Sequence, residues 1–394
     1  MQLVGVDYAD LLIVGGGCVG CSIALHAAKL DPALRIVLVE RQHVAWGTTG
    51  RSTAIVRQHY SNPETANMAL ESLQVFENFR TRVGGDSGFT RVGFILGVGE
   101  KDAAVLGRNV QMQRGLGIET GVLGPTEMAK LQPGVNVSDL VAAAYEPRSG
   151  YADPVATTKS FAAAAEKLGV KVLEQTKVDE IIESGGKVRG VRVGQSEIHA
   201  DRVVNAANVW ANQLMPRNHA KLPIRALREQ SCIFLRPKDF GTNLTVWGDF
   251  TSGFYFCPKG VEQLLTGSLE SNLPHVDDPD NCEGVEYQTV ESYSSKLVHR
   301  IPAMARGRWE RGWSGVYDVT PDWHPILDES EEVEGLYIAA GFSGHGFKLS
   351  PAVGKRMAEF IVKERKPQDL EIFRGTRFAE GKKLSGQYES NIIA

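Results

Sequence analysis

The 394-residue chain has five cysteines, too few and too scattered for a disulfide framework. Cys232, Cys257 and Cys282 stand alone, and no His/Cys cluster has metal-ligand spacing, so no metal is expected. No apolar run approaches the roughly 18 residues that a spanning helix needs, so no membrane span is expected. There is no basic excess either. The formal net charge of −4 offers no field to hold a polyanion, which argues against nucleic acid as a partner. Residues 1–10 contain acids but no Lys or Arg, unlike a signal peptide, and the expected location is cytoplasmic. What remains is the balance of an ordinary globular protein, long enough for two domains rather than one core.

What the sequence does have is glycine in two informative places. Residues 10–14 form a short apolar run that reads as a buried strand, and Gly15-Gly16-Gly17-Cys18-Val19-Gly20 follows at once. Residues 21–29 read as a helix with small residues, ended by Asp31-Pro32. Residues 35–39 form a second apolar strand that stops at Glu40-Arg41. Strand, helix and strand make one βαβ unit and predict a parallel sheet. G-x-G-x-x-G is weak evidence alone, but here the glycines follow a strand, open a helix, and have an acid 20 residues beyond Gly20. Gly15 permits the tight turn, Gly17 lets the backbone approach a pyrophosphate, and Gly20 lets the helix pack close to the strand. The N–H groups at the helix start, around Cys18 and Val19, face the phosphates, and Glu40 suits ribose hydroxyls and disfavours a 2′-phosphate. Cys18 and Cys21 form a C-x-x-C inside this unit. Three residues apart on one helix face, they read as small-residue packing rather than a redox pair.

Further along, residues 63–83, 103–116 and 154–168 read as helices. Residues 170–173, 190–193 and 202–205 read as strands, and 231–235, 253–257 and 263–266 as β-type runs. Residues 336–340 form one more buried strand, running into Gly341-Phe342-Ser343-Gly344-His345-Gly346-Phe347-Lys348 and then a helix over 351–364. This second glycine turn suits a flavin, whose reduced ring carries negative charge that a helix N-terminus would favour. The layout predicts an α/β plus β-rich fold, with a Rossmann-like FAD-binding domain (1–87, 153–216 and 321–394) and an interleaved, mainly antiparallel substrate-binding domain (88–152 and 217–320).

Several segments together resemble one family: Gly15-x-Gly17-x-x-Gly20, Glu40, Gly47-Thr48-Thr49-Gly50-Arg51-Ser52, Val204-Asn205-Ala206-Ala207, Thr320-Pro321-Asp322-x-x-Pro325 and the turn from Gly341 to Lys348. The series is similar to the D-amino-acid oxidase superfamily of FAD enzymes, in its sarcosine oxidase, dimethylglycine dehydrogenase and glycine oxidase group. The resemblance implies FAD as cofactor and oxidation of an amine carbon beside a carboxylate. It implies Arg57 and Lys348 as holders of that carboxylate. Thr48, Thr49, Arg51 and Ser52 would line the flavin and its phosphates, Val178 would meet the adenine, and Ala206 and Ala207 would pass over the cofactor. Gly341, Gly344, His345, Gly346, Phe347 and Lys348 would run along the flavin's pyrimidine side.

Three departures matter. No cysteine precedes the Thr-Pro-Asp motif, so the covalent tether of some sarcosine oxidases is absent and FAD is expected to be non-covalent. No histidine stands in Ser149-Gly150-Tyr151-Ala152-Asp153, where a second flavin would attach. Where monomeric sarcosine oxidases place a lysine over the flavin, Gly253-Phe254-Tyr255-Phe256 offers Tyr255, which leaves room for a dehydrogenase. Asn208 stands where glycine is usual.

A hydride leaves an amine carbon only when the nitrogen lone pair is free. Two cations, Arg57 and Lys348, would disfavour a substrate ammonium while holding the carboxylate. Tyr255 is a candidate catalytic or substrate-binding residue, and His59, just past Arg57, a candidate pocket residue. A hydroxy-acid or polyol-phosphate dehydrogenase on the same fold, and a flavin-binding subunit of an amine dehydrogenase complex, remain alternatives. The expected partner is a small amine or amino acid, with an oligomer or complex left open.

Overall fold

The computed structural model describes residues 6–388 apart from 242 and 385. Two large sheets organise it. The first has six strands in the spatial order Lys171–Leu173, Ile36–Val39, Leu11–Val14, Val203–Asn205, Leu336–Ala340, Ile326–Glu329. The first five are parallel, and Ile326–Glu329 pairs antiparallel at the edge. Its central strands are unbroken apolar runs because both faces are covered. Leu11 and Ile13 point to the helix face, where Cys18–Leu30, Pro154–Glu166 and Gly346–Lys363 pack. Leu12 and Val14 point to the other face, beneath a small sheet of Tyr8–Ala9, Ser196–Ala200, Lys187–Val193 and Glu180–Ser184.

The second sheet has eight strands, in the order Arg308–Val319, Arg225–Leu235, Gln263–Ser268, Phe254–Lys259, Val246–Asp249, Phe94–Val98, Ala142–Glu146, Gly121–Leu123. It is antiparallel except where Val246–Asp249 runs beside Phe94–Val98. Helix Glu100–Gly115 packs on one face through Leu106 and Val110. Helix Tyr287–Arg300 packs on the other through Val290, Tyr293 and Leu297. No helix among the described residues is long and apolar enough to cross a membrane.

Several element boundaries differ from expectation. The stretch 63–83 breaks at Asn78 into Pro63–Glu77 and Phe79–Arg82. Helix Tyr287–Arg300 lies in a stretch read only as β-type runs. Its signal is the 290, 293, 297 spacing of its buried residues. The last helix starts at Gly346 rather than 351, so Pro351 lies inside it. Proline there removes the N–H that would bond Phe347 O, and Ser350 Oγ donates to that carbonyl instead at 2.8 Å. Cys18 and Cys21 are buried on the first helix, and burial pushes both thiols up, as packing residues rather than reactive ones.

Candidate functional site

The carboxyl ends of the parallel strands open into a large cavity, about 1970 Å³ with its mouth included. One wall is the first glycine turn. Gly15 has φ +116°, and a Cβ there would stand 2.5 Å from Ala206 O; a Cβ at Gly20 would stand 2.0 Å from Gly15 O. The turn is therefore closed by backbone contacts that only glycine allows. Helix Cys18–Leu30 has no side chain at its N-cap Gly17 and no acid in its first turn, and although Cys18 N donates to Thr49 Oγ1 at 3.2 Å, its N-terminus lies on the cavity wall, where it suits an anion. Glu40 braces the turn, with Oε2 accepting from Gly16 N at 2.8 Å and Oε1 from Gln42 N at 2.9 Å.

The opposite wall is the second glycine turn. Helix Gly346–Lys363 also begins uncapped. Asp318 pins the turn: its Oδ2 accepts from Gly341 N at 2.6 Å. Burial raises the Asp318 carboxyl to about 6, although the N–H groups of Phe342 and Gly341 and the Asn208 side chain hold it down. That last contact accounts for Asn208, whose φ of +53° suits the residue type that best replaces glycine in the left-handed region. The helices that begin at the two turns pack against each other so closely that a Cβ at Gly354 would stand 2.1 Å from Ser22 Oγ.

The cavity brings together Gly15, Gly17, Cys18, Val19, Gly20, Glu40, Arg41, Thr48, Thr49, Arg51, Ser52, Val178, Ala206, Ala207 and the strip Gly344–Lys348, together with Arg57 and Tyr255. Gly341 and His59 do not line it. Gly341 shapes the turn from behind, where a Cβ would strike Thr320. His59 is a correction: its ring is buried between Tyr388 Oη (2.7 Å) and Gln113 Nε2 (3.3 Å), and only its carbonyl, accepting from Arg57, touches the site. Burial and then Arg57 lower that imidazole to about 3, which keeps it neutral. At the rim, Arg41 stacks on Trp210 at 4.0 Å and pairs with Asp280.

Arg57 and Lys348 both lie buried on the cavity wall. The Arg57 guanidinium sits 4.5 Å over the Tyr60 ring. Lys348 Nζ reaches only Gly344 O, at 3.4 Å. Neither has a carboxylate partner among the described residues. Burial and then Arg57 push the Lys348 ammonium well below the lysine range. The two expected basic groups thus stand on one wall, and an anion reaching them would oppose both effects on Lys348. The Tyr255 hydroxyl lies 3.4 Å from Thr53 Oγ1, and burial raises its pKa. His345 bonds Tyr60 Oη through Nδ1 at 3.2 Å, and its Nε2 has no partner among the described residues. Burial holds this histidine neutral.

Sequence reasoning missed Glu229. It lies in strand Arg225–Leu235, is 4 % exposed and lines the cavity. Burial raises its carboxyl to about 8, with Glu270 adding to the rise and the Ser268 N–H opposing it. This predicts a pH-dependent stability. Below the ordinary value of 4.5 the acid is protonated in folded and unfolded chains alike. As pH rises from there to about 8, the unfolded chain ionises first, so stability falls, and the loss is complete above the folded value. Glu229→Gln removes this titration. By chemical denaturation the variant should be more stable than wild type at about pH 9, by on the order of 3 kcal/mol, and nearly equal near pH 5. A variant less stable at the higher pH would contradict the assignment.

The glycine cradle and the two uncapped helix starts fit a dinucleotide whose far end is a flavin, and comparison with known proteins agrees. A family model described as FAD dependent oxidoreductase (DAO) matches residues 10–360. The chain belongs to the DAO family of FAD-dependent oxidoreductases. It is 28% identical to the FAD-dependent oxidoreductase domain-containing protein 1 of Bos taurus, over 96% of this chain and 86% of that one. It is 25% identical to the mitochondrial sarcosine dehydrogenase of Homo sapiens, over 94% of this chain but 41% of that longer protein. Among solved structures, L-proline dehydrogenase from P. horikoshii is similar with a TM-score of 0.88 and 28% identity, covering 96% of this chain and 100% of that one.

Proposed function

We propose that this DAO-family protein oxidises an amino acid or N-alkyl amino acid at the carbon next to nitrogen, with non-covalently held FAD. The observation that carries the reading is the pair Arg57 and Lys348, two buried basic groups on one cavity wall with no carboxylate partner among the described residues. A buried cation without an anion is costly, so an anionic ligand group is what this pair lacks. Sarcosine and proline, named in two of the similar proteins, are both secondary amino acids. In this reading residues 1–87, 153–216 and 321–394 form the FAD domain, and 88–152 and 217–320 the substrate domain.

The roles of the residues follow. The helix start over Gly17 to Gly20 would hold the pyrophosphate, and Glu40 would take ribose hydroxyls. The N-terminus of Gly346–Lys363 would favour the negative charge of a reduced flavin. Bound FAD would supply the hydride acceptor. Arg57 grips the substrate carboxylate with Lys348 beside it, and the arriving anion favours the charged form of that lysine. Their combined charge disfavours a substrate ammonium, so the amine gives its proton to solvent water before the carbon gives up its hydride. The resulting imine hydrolyses in water. Segment 313–320 has no cysteine, and Cys282 approaches it, with Sγ 3.9 Å from Gly315 O.

The purified protein should be yellow, and acid precipitation should leave the colour in the supernatant. Anaerobic addition of sarcosine, proline or other amino acids should bleach the flavin. Bleaching by 2-hydroxy acids alone would replace this reading with the alcohol-oxidising one.

A further inference from the structure

We propose that Glu229 is a second anchor in the cavity, one that selects substrates carrying a cationic group remote from their carboxylate. This rests on the reading of Arg57 and Lys348 as the carboxylate holder.

Glu229 Oε1 accepts from Ser268 N at 2.8 Å, and Oε2 has no partner among the described residues. A glutamine would serve the Ser268 contact equally well, so packing does not explain the acid. The surrounding sheet face is hollowed. Gly315 stands directly opposite Glu229 in register, so its strand adds no side chain there, and the nearest side-chain atom to a Cβ at that position would be Arg51 Cβ, 3.5 Å away. A Cβ at Gly267 would meet Tyr255 Oη at 2.1 Å and Glu229 Oε1 at 2.7 Å, so only glycine lets these two groups converge there. The titratable groups that act on or feel Glu229 are Glu270, Tyr255, Tyr293, Tyr317 and Cys232; none is a cation. Glu270 itself pairs with Lys296. Among the described residues no cation is hydrogen-bonded to Glu229, although Arg51, Arg57 and Lys348 line other parts of the same cavity.

Spacing decides which part of a substrate can reach it. Tyr317 lies within electrostatic reach of both Glu229 and Arg57, and its ring packs against the Gly344 backbone. The two anchors are thus separate points on one cavity wall, both within reach of that tyrosine. The α-nitrogen of an amino acid is bonded to the carbon next to the carboxylate and stays beside Arg57. A group that reaches Glu229 must sit on the side chain or on an N-substituent. A cation is the fitting chemistry, because it favours the ionised acid and pairs with the carboxylate oxygen that has no partner among the described residues.

The test uses the FAD-loaded full chain and two probes of one shape, 4-guanidinobutanoate and the neutral 4-ureidobutanoate. Neither has a free amine to oxidise, so binding is read from the shift in flavin absorbance. Wild type should bind the guanidino acid about tenfold or more tightly than the ureido acid, and Glu229→Gln should reduce that preference to less than about threefold. Equal binding of both probes by wild type, or an undiminished preference in Glu229→Gln, overturns the proposal. Anaerobic bleaching by lysine and norleucine is run alongside. If no amine bleaches the flavin while the guanidino preference holds, the amine-oxidation reading fails and the second anchor stands. If amines bleach it without a charge preference, the reading stands and the anchor fails.

Discussion

Replacing Arg57 by Ala should give a protein that is still yellow but whose apparent affinity for its amino-acid substrate falls about 100-fold or more. Arg57 is buried on the cavity wall, where its guanidinium donates to the His59 carbonyl and lies over the Tyr60 ring. Removing one partner of a buried, hydrogen-bonded charge pair costs roughly 2–5 kcal/mol, much of it the penalty of leaving the other charge unpaired. Here the stranded charge would be the substrate carboxylate. Lys348 offsets part of the loss, since it ionises more readily once Arg57 no longer repels its proton. Arg57→Lys should recover only a fraction, because an ammonium lacks the planar fork that grips a carboxylate with two parallel bonds. The measurement is the substrate dependence of anaerobic flavin reduction. A change of less than about threefold in Arg57→Ala would remove this residue from the anchor.

Gly20→Ala should purify colourless and stay so after incubation with FAD. The added Cβ would stand 2.0 Å from Gly15 O, a backbone atom that cannot step aside alone. The helix start must lift from the strand, and the amides that face the phosphates move with it. Overpacking of this kind costs roughly 1–3 kcal/mol of stability. The larger effect falls on the cofactor, whose occupancy is read from the flavin-to-protein absorbance ratio. Gly107→Ala is the control. Gly107 lies in helix Glu100–Gly115 with nothing within 4 Å of an added Cβ. That change should leave the colour intact and stabilise the fold by roughly 0.5–1 kcal/mol. A yellow Gly20→Ala protein would mean the turn tolerates a shift that its contacts forbid.

How much of this was legible beforehand depended on how local the signal was. The first βαβ unit could be read because the strand, glycines, helix and Glu40 all fall within 30 residues and each obeys a short-range rule. The start of the last helix was misplaced because Pro351 looks like a first-turn proline; the Ser350 hydroxyl that covers its missing bond is visible only in three dimensions. His59 looked like a pocket residue because it is two positions from Arg57. Its ring instead reaches Tyr388, 329 residues away. Glu229 and Asp318 were invisible for a related reason. A single acid in a strand ordinarily faces water, and only the pairing of Arg225–Leu235 with Arg308–Val319 turns both into the interior. Asn208, which had no account in the sequence, gained one from its left-handed backbone and its contact with Asp318.

The packing of Ser22 on Gly354 also has a bearing on biosynthesis. The two halves of the cofactor cradle open helices Cys18–Leu30 and Gly346–Lys363, which lie at opposite ends of the chain. A growing chain makes the first glycine turn, at Gly15, long before the second, at Gly341. A cradle that needs both turns is therefore complete only once the last helix has begun to form. Until then the edge of Val203–Asn205 waits without Leu336–Ala340, the strand that pairs with it.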